Sequence, residues 1–420
     1  MKRLSLFVVC VALSAIHSDL VGQEWTRFHG PNGTGASEAK NIPVRFDESD
    51  YNWKTKLPGI GHSSPVIWGE RVFVLSADPE SATRYCLALD AKTGAIVWQR
   101  EFKSTVHHLH ARSSFASSTP ACDADHVYFA WSTPDATWLK AFDHQGKEVW
   151  SKDLGRWVSQ HGFGTSPIVY QGLVILHNSQ QANQLKEGQK PGESFMVACR
   201  RKTGEEVWRT PLKSMNVCYS VPFIFRNAAG QDELICTSTG NGFFSLDPLT
   251  GKQNWAVADV FKMRTVASPI LAGGLIFGST GSGAYSGNYI AALKPGPDAE
   301  VVYEIKNSGK FKAPYVPTYV AHGDKVFFIY DRGFSACVDA PTGKIHYSER
   351  TGANFSGSPI RVADKIYAID EDGVVWVWAA SAEYKELAKN PLGEPSRSTP
   401  AVADGKLYLR TESHLISVGS

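Results

Sequence analysis

The sequence predicts an all-β protein, an eight-bladed β-propeller of four-stranded antiparallel blades. Two observations predict it. A short Ser/Thr–Pro phrase recurs eight times, and the last repeat is one strand short while a lone strand stands near the N-terminus. A closed ring of small units explains how 420 residues form a single domain.

Ahead of the repeats, Met1-Lys2-Arg3 is basic and Leu4 to Ile16 is apolar, with polar residues returning at His17-Ser18-Asp19. That is the layout of a secretory signal peptide, and the run is short for a membrane span. Residues 1–22 are therefore expected to be a cleaved leader, with the mature protein periplasmic or extracellular and free of any transmembrane segment. Residues 23–50 are expected as an N-terminal extension lying across one face, and 51–420 as the propeller.

The recurring phrase reads Ser64-Pro65-Val66, Thr119-Pro120-Ala121, Ser166-Pro167-Ile168, Val221-Pro222-Phe223, Ser268-Pro269-Ile270, Val316-Pro317-Thr318, Ser358-Pro359-Ile360 and Thr399-Pro400-Ala401. The prolines lie 55, 47, 55, 47, 48, 42 and 41 residues apart, the length that four strands and their turns require. In the first unit the strands are Pro65 to Trp68, Arg71 to Leu75, Tyr85 to Leu89 and Ile96 to Trp98. Their consecutive apolar residues suit strands covered on both faces. The eighth unit stops after three strands, and Tyr51 to Thr55 supplies the fourth, so that pairing them closes the ring and removes two free edges.

A second phrase marks the corner between third and fourth strands: Ala88-Leu89-Asp90-Ala91-Lys92-Thr93-Gly94-Ala95-Ile96-Val97-Trp98. Other units repeat it around Thr203, Gly204 and Trp208, around Asp247, Gly251 and Trp255, around Asp339, Gly343 and Tyr347, and, one residue shorter, around Asp143, Gly146 and Trp150. The pattern resembles the tryptophan-docking motif of the pyrroloquinoline-quinone (PQQ) type propeller repeat. Trp25 to Gly33 also resembles the start of secreted members of that family. The resemblance implies that Trp98, Trp150, Trp208 and Trp255 each pack into the corner of a neighbouring blade, braced there by the Asp and Thr. The fifth, seventh and eighth units depart from the motif.

Composition excludes some classes of function. With 43 basic and 41 acidic residues the formal charge is +2, which gives no electrostatic footprint for nucleic acid. Beyond the leader the cysteines are Cys86, Cys122, Cys199, Cys218, Cys236 and Cys337, with no CxxC and no adjacent pair. Cys199 and Cys337 fall in core slots of third strands, so buried thiols are expected rather than disulfides.

Family members imply two functions. Quinoprotein dehydrogenases hold PQQ over the channel with an adjacent cysteine pair, a calcium cage and a catalytic Asp, while scaffold members bind other proteins. This sequence lacks the cysteine pair, and Asp90, Asp143, Asp247 and Asp339 are accounted for as corner residues. The expectation is a monomeric, non-catalytic binding or scaffolding module without cofactor or metal. Its partner is a protein or a small anionic ligand. The alternative is a PQQ- and calcium-dependent oxidoreductase, or another small-ligand enzyme using a histidine-rich face. His107, His108 and His110 cluster without a nearby carboxylate. Loops entering each inner strand open on the channel mouth, and seven residues there are the candidate ligand site: His62, His161, Tyr219, Arg264, Tyr315, Asn354 and Arg397.

Overall fold

The computed structural model describes residues 24–284 and 286–420, and the leader expected over residues 1–22 lies outside them. Eight sheets radiate around one channel. Blade 1 comprises Val66–Trp68, Arg71–Ala77, Arg84–Asp90 and Ile96–Phe102, running from the channel outward. Blades 2 to 7 follow over 121–153, 168–212, 223–257, 270–306, 320–350 and 360–391. Blade 8 joins the two ends of the chain. Its first three strands are Ala401–Ala403, Lys406–Arg410 and His414–Gly419, and Tyr51–Lys56 is the outer strand, with Tyr51 opposite Val418 and Lys56 opposite His414.

Each blade has a register slip where the outer strand begins. In blade 1, Leu89 pairs with Ile96 and Ala88 with Trp98, so Val97 is the extra residue of a bulge. The bulge leaves Val97 facing solvent while Trp98 is buried, and Val149, Val207 and Val302 repeat that exposure in their own blades.

The buried aromatics hold neighbouring blades together. The indole N–H of Trp53 donates to the Ala91 carbonyl of blade 1 (3.1 Å), Trp98 to His144 of blade 2 (3.0 Å), Trp150 to Arg201 of blade 3 (2.9 Å) and Trp208 to Pro248 of blade 4 (3.2 Å). The corner glycine makes room for each ring: a Cβ on Gly251, whose φ is +71°, would stand 2.5 Å from the Trp208 ring. Past blade 4 the joint changes. Trp255 is buried against blade 5, but its N–H donates to Glu233 of its own blade (2.7 Å). Between blades 5 and 6 Tyr303 replaces the tryptophan, its hydroxyl donating to the Ala340 carbonyl. Tyr347 then meets Tyr384 of blade 7 edge-on.

Two features were not legible in the repeat. In blade 6 the inner strand is Val320–His322, so Tyr319 occupies the slot that proline fills elsewhere and Pro317 lies two residues upstream of it. Blade 7 gains a fifth strand, Ala36–Ser37, parallel to Arg361 and Val362. The N-terminal extension reaches that strand by crossing the end of the channel where inner strands finish. Trp25 bridges Ile67, the Thr26 carbonyl accepts from Cys122, Arg27 donates to the Pro222 carbonyl (2.8 Å), and a ring nitrogen of His29 lies 2.8 Å from the Pro359 carbonyl. All six described cysteines are buried and unpaired.

Candidate functional site

The phrase that ends in proline builds the channel wall. Its residue before the proline slot faces the channel, and its backbone N–H reaches the hydroxyl of the equivalent residue one blade onward. The bonds run Ser64 to Thr119, Thr119 to Ser166, Val221 to Ser268, Ser268 to Thr318, Thr318 to Ser358, Ser358 to Thr399 and Thr399 to Ser64, each at 2.9–3.0 Å. The circle is open at one place only, where Val221 offers no oxygen to Ser166. Ser and Thr before the proline thus tie blade to blade, a use of these residues that strand propensity alone does not reveal.

Two residues upstream, strand alternation points a second tier inward: His62, Ser117, Gly164, Tyr219, Val266, Val316, Ser356 and Arg397. Together the tiers line a cavity of about 400 Å³, in the range of small-ligand sites. Phe28 of the N-terminal extension contributes to its lining. Of the seven candidate residues, His62, His161, Tyr219, Arg264, Tyr315 and Arg397 line this cavity. Asn354 does not. The neighbouring Phe355 is sunk in the core, which leaves Asn354 exposed and hands its expected place to Ser356.

Arginine and histidine side chains dominate the polar lining. It holds Arg112, Arg264, Arg332, Arg397, His62, His110 and His161, and no carboxylate. His110, Arg112 and Arg332 reach the lining from loops that belong to no repeated phrase, so the repeat does not point to them. Within the sequence cluster, His110 packs edge-on against His161 at 4.9 Å, whereas His107 turns away onto Phe115. The one cluster of three possible metal ligands among the described residues, Asp123, Asp125 and His126, lies outside the cavity, and Arg201 pairs with both aspartates (3.0 and 2.9 Å).

Among the arginines of the lining, Arg264 is the one that is buried. It is only 9% exposed, and its bonds go to neutral groups: Nε to the Val217 carbonyl (2.9 Å) and Nη1 to the Tyr315 hydroxyl (3.1 Å). Among the described residues it meets no carboxylate within ion-pair distance. Arg397 is balanced more loosely, by Glu371 at 3.5 Å and Glu412 at 3.9 Å. Burial, with Arg264, His110 and His108 adding to it, lowers the His161 pKa to about 4. Burial, Arg397 and Arg410 take His62 to about 3. Both imidazoles are therefore neutral near pH 7, and each has a buried Nδ1 with no partner. Beneath the wall, burial pushes the Asp331 carboxyl up to about 6 although it accepts from the N–H groups of Tyr315 and Val316 (2.8 and 3.1 Å).

The sequence matches the family model described as outer membrane protein assembly factor BamB over residues 47–132, 82–189 and 135–382. No curated protein matches it in sequence. Among solved structures, BamB from Moraxella catarrhalis superposes with a TM-score of 0.61 at 12% identity, covering 88% of this chain and 98% of that one. Quinohemoprotein alcohol dehydrogenase from Comamonas testosteroni gives 0.62 at 14% identity, over 94% and 80% of the two chains. Sqt1 from Saccharomyces cerevisiae gives 0.59 at 10%, over 91% and 99%. At such identities these likenesses concern the fold.

Proposed function

The chain belongs to the outer membrane protein assembly factor BamB family, and on that premise we propose that it is an exported, non-catalytic binding module. Its central cavity takes a small anionic ligand. The observation that carries this reading is Arg264, a buried guanidinium held only by neutral groups in a lining without a carboxylate. An anion entering the cavity gives this guanidinium the counter-charge that the lining does not supply. The histidines of the mouth, held neutral chiefly by burial with neighbouring arginines adding to it, leave the arginines as the charge an anion meets.

The donor set does not suit a calcium-bound quinone. A hard divalent cation needs carboxylate and carbonyl oxygens, and the lining offers guanidinium, imidazole and hydroxyl groups instead. All described cysteines lie buried and unpaired, and none is among the lining residues. The family description supports a scaffold role as well, with the cavity ligand bound at the centre of the ring.

Isothermal titration with acetate, phosphate and sulfate tests the reading. Binding that weakens with added salt, and falls at least about tenfold in Arg264→Ala and Arg397→Ala, is the expected result. Absence of binding to every anion, or affinity unchanged in both variants, contradicts it.

A further inference from the structure

The hydroxyl ring carries more than blade-to-blade contact. Ser64, Thr119, Ser166, Ser268, Thr318, Ser358 and Thr399 each spend a lone pair on a neighbouring backbone N–H. A hydroxyl has one donor hydrogen and two acceptor sites. None of the seven donates to another group among the described residues, so each hydrogen remains available, and six of the seven line the cavity. The ring is therefore a set of hydroxyl oxygens held in place by the backbone, each with a hydrogen that can turn toward a ligand.

The wall is also two-sided. Blades 1, 2, 3, 7 and 8 contribute Ser64, Thr119, Ser166, Ser358 and Thr399. Blades 4 to 6 contribute Tyr219, Val221, Val266, Tyr315 and Val316, with Thr318 the one aliphatic hydroxyl of that side in the lining. The cations stand on both sides. A ligand filling this space presents oxygen acceptors along one flank, an apolar face along the other, and a negative group to Arg264 and Arg397.

We infer that the ligand is an anionic pyranose: a sugar ring bearing a carboxylate or phosphate. A pyranose has the required split, with oxygens around its rim and C–H groups on its faces, and the C–H face packs on tyrosine. A plain inorganic anion satisfies the arginines and leaves the hydroxyl donors and the apolar flank unused. An aromatic acid satisfies the arginines and the apolar flank but leaves the donor ring unpaired. This inference rests on the anion-binding reading above and narrows its ligand class.

The test is titration of the full-length mature protein with glucuronate, glucose 6-phosphate, glucose, acetate and inorganic phosphate. Either sugar anion is expected to bind at least about tenfold tighter than its simple anion and than glucose, the difference that one or two further hydrogen bonds supply. The two sugar anions together separate carboxylate from phosphate as the charged group. Thr119→Val removes one ring donor and the acceptor of the Ser64 N–H, and Val221 shows that the fold accommodates valine in that position. The variant is expected to lose about tenfold toward the sugar anion and little toward acetate or phosphate. Sugar anions binding no tighter than acetate and phosphate overturn the pyranose assignment and leave the anion site standing. No binding by any anion overturns both.

Discussion

At the seam between blades 3 and 4, the Trp208 N–H has its carbonyl on Pro248 and Gly251 leaves space for the indole. At the mouth of the channel, Nδ1 of His62, Nδ1 of His161 and Nε of Arg397 are buried without a partner. Both regions grow from the same repeat, yet one closes its hydrogen-bond account and the other leaves it open. Folding alone selects against unpartnered buried polar atoms, because each costs about 1–3 kcal/mol. The seam between blades 3 and 4 satisfies its own indole, whereas three polar atoms at the mouth, which borders a cavity, are left for a ligand to meet.

Four substitutions or titrations break or sharpen that contrast. Trp208→Ala empties a buried slot between two blades, and its expected cost is about 3–5 kcal/mol, measured as a lower denaturation midpoint. Hydrogen exchange should rise first in blades 3 and 4. A loss below about 1 kcal/mol would mean that the docked indole is not what joins them.

Acid is expected to act on a histidine of the wall's interior. His177 is buried with Nε2 unpartnered, and burial, opposed by a contact from Nδ1 to the Ser220 carbonyl, lowers its pKa to about 4. In the unfolded chain the imidazole takes up a proton near pH 6.5, while the folded one resists until about 4. Its contribution is therefore complete above pH 6.5 and is lost as pH falls toward 4, about 2–3 kcal/mol by pH 4.5. Denaturation of His177→Asn between pH 7 and 4.5 should show a shallower fall than the wild type.

Gly251→Ala tests the seam from the other side. A methyl at positive φ and in contact with the Trp208 ring should cost about 2 kcal/mol, with the same glycine-to-alanine change at exposed Gly172, where nothing crowds the added methyl, costing less. Arg264→Ala is the counterpart at the mouth. Its thermal midpoint should stay within a few degrees of wild type or rise, since a buried charge without a counter-charge is removed. A large drop would make Arg264 a structural residue and erase the distinction between seam and mouth.

The ring was legible in the sequence because its period is enforced by packing: small residue, glycine and tryptophan must recur wherever an indole docks. Closure was legible too, since Tyr51–Lys56 has three missing partners and His414–Gly419 a missing edge. Position 354 was misplaced because spacing from the proline does not report which residue of a loop turns inward, and Phe355 claims the core ahead of it. The slot assigned to Pro317 belongs to Tyr319 for a similar reason: strand pairing, not the proline, sets the register. The strand Ala36–Ser37 is too short to leave a periodic signal. Arg112 and Arg332 reach the cavity from loops whose ends lie far apart in the chain, and the hydroxyl ring links residues of successive blades. Such contacts exist only after closure.

Anomalous diffraction from crystals soaked in selenate locates an anion without reference to any assay. Selenium density is expected inside the central cavity, within hydrogen-bond distance of Arg264 or Arg397, and is expected to disappear in the Arg264→Ala, Arg397→Ala double variant. Selenate found only on the outer surface, with the cavity free of it, would contradict the claim that this propeller holds an anion at its centre.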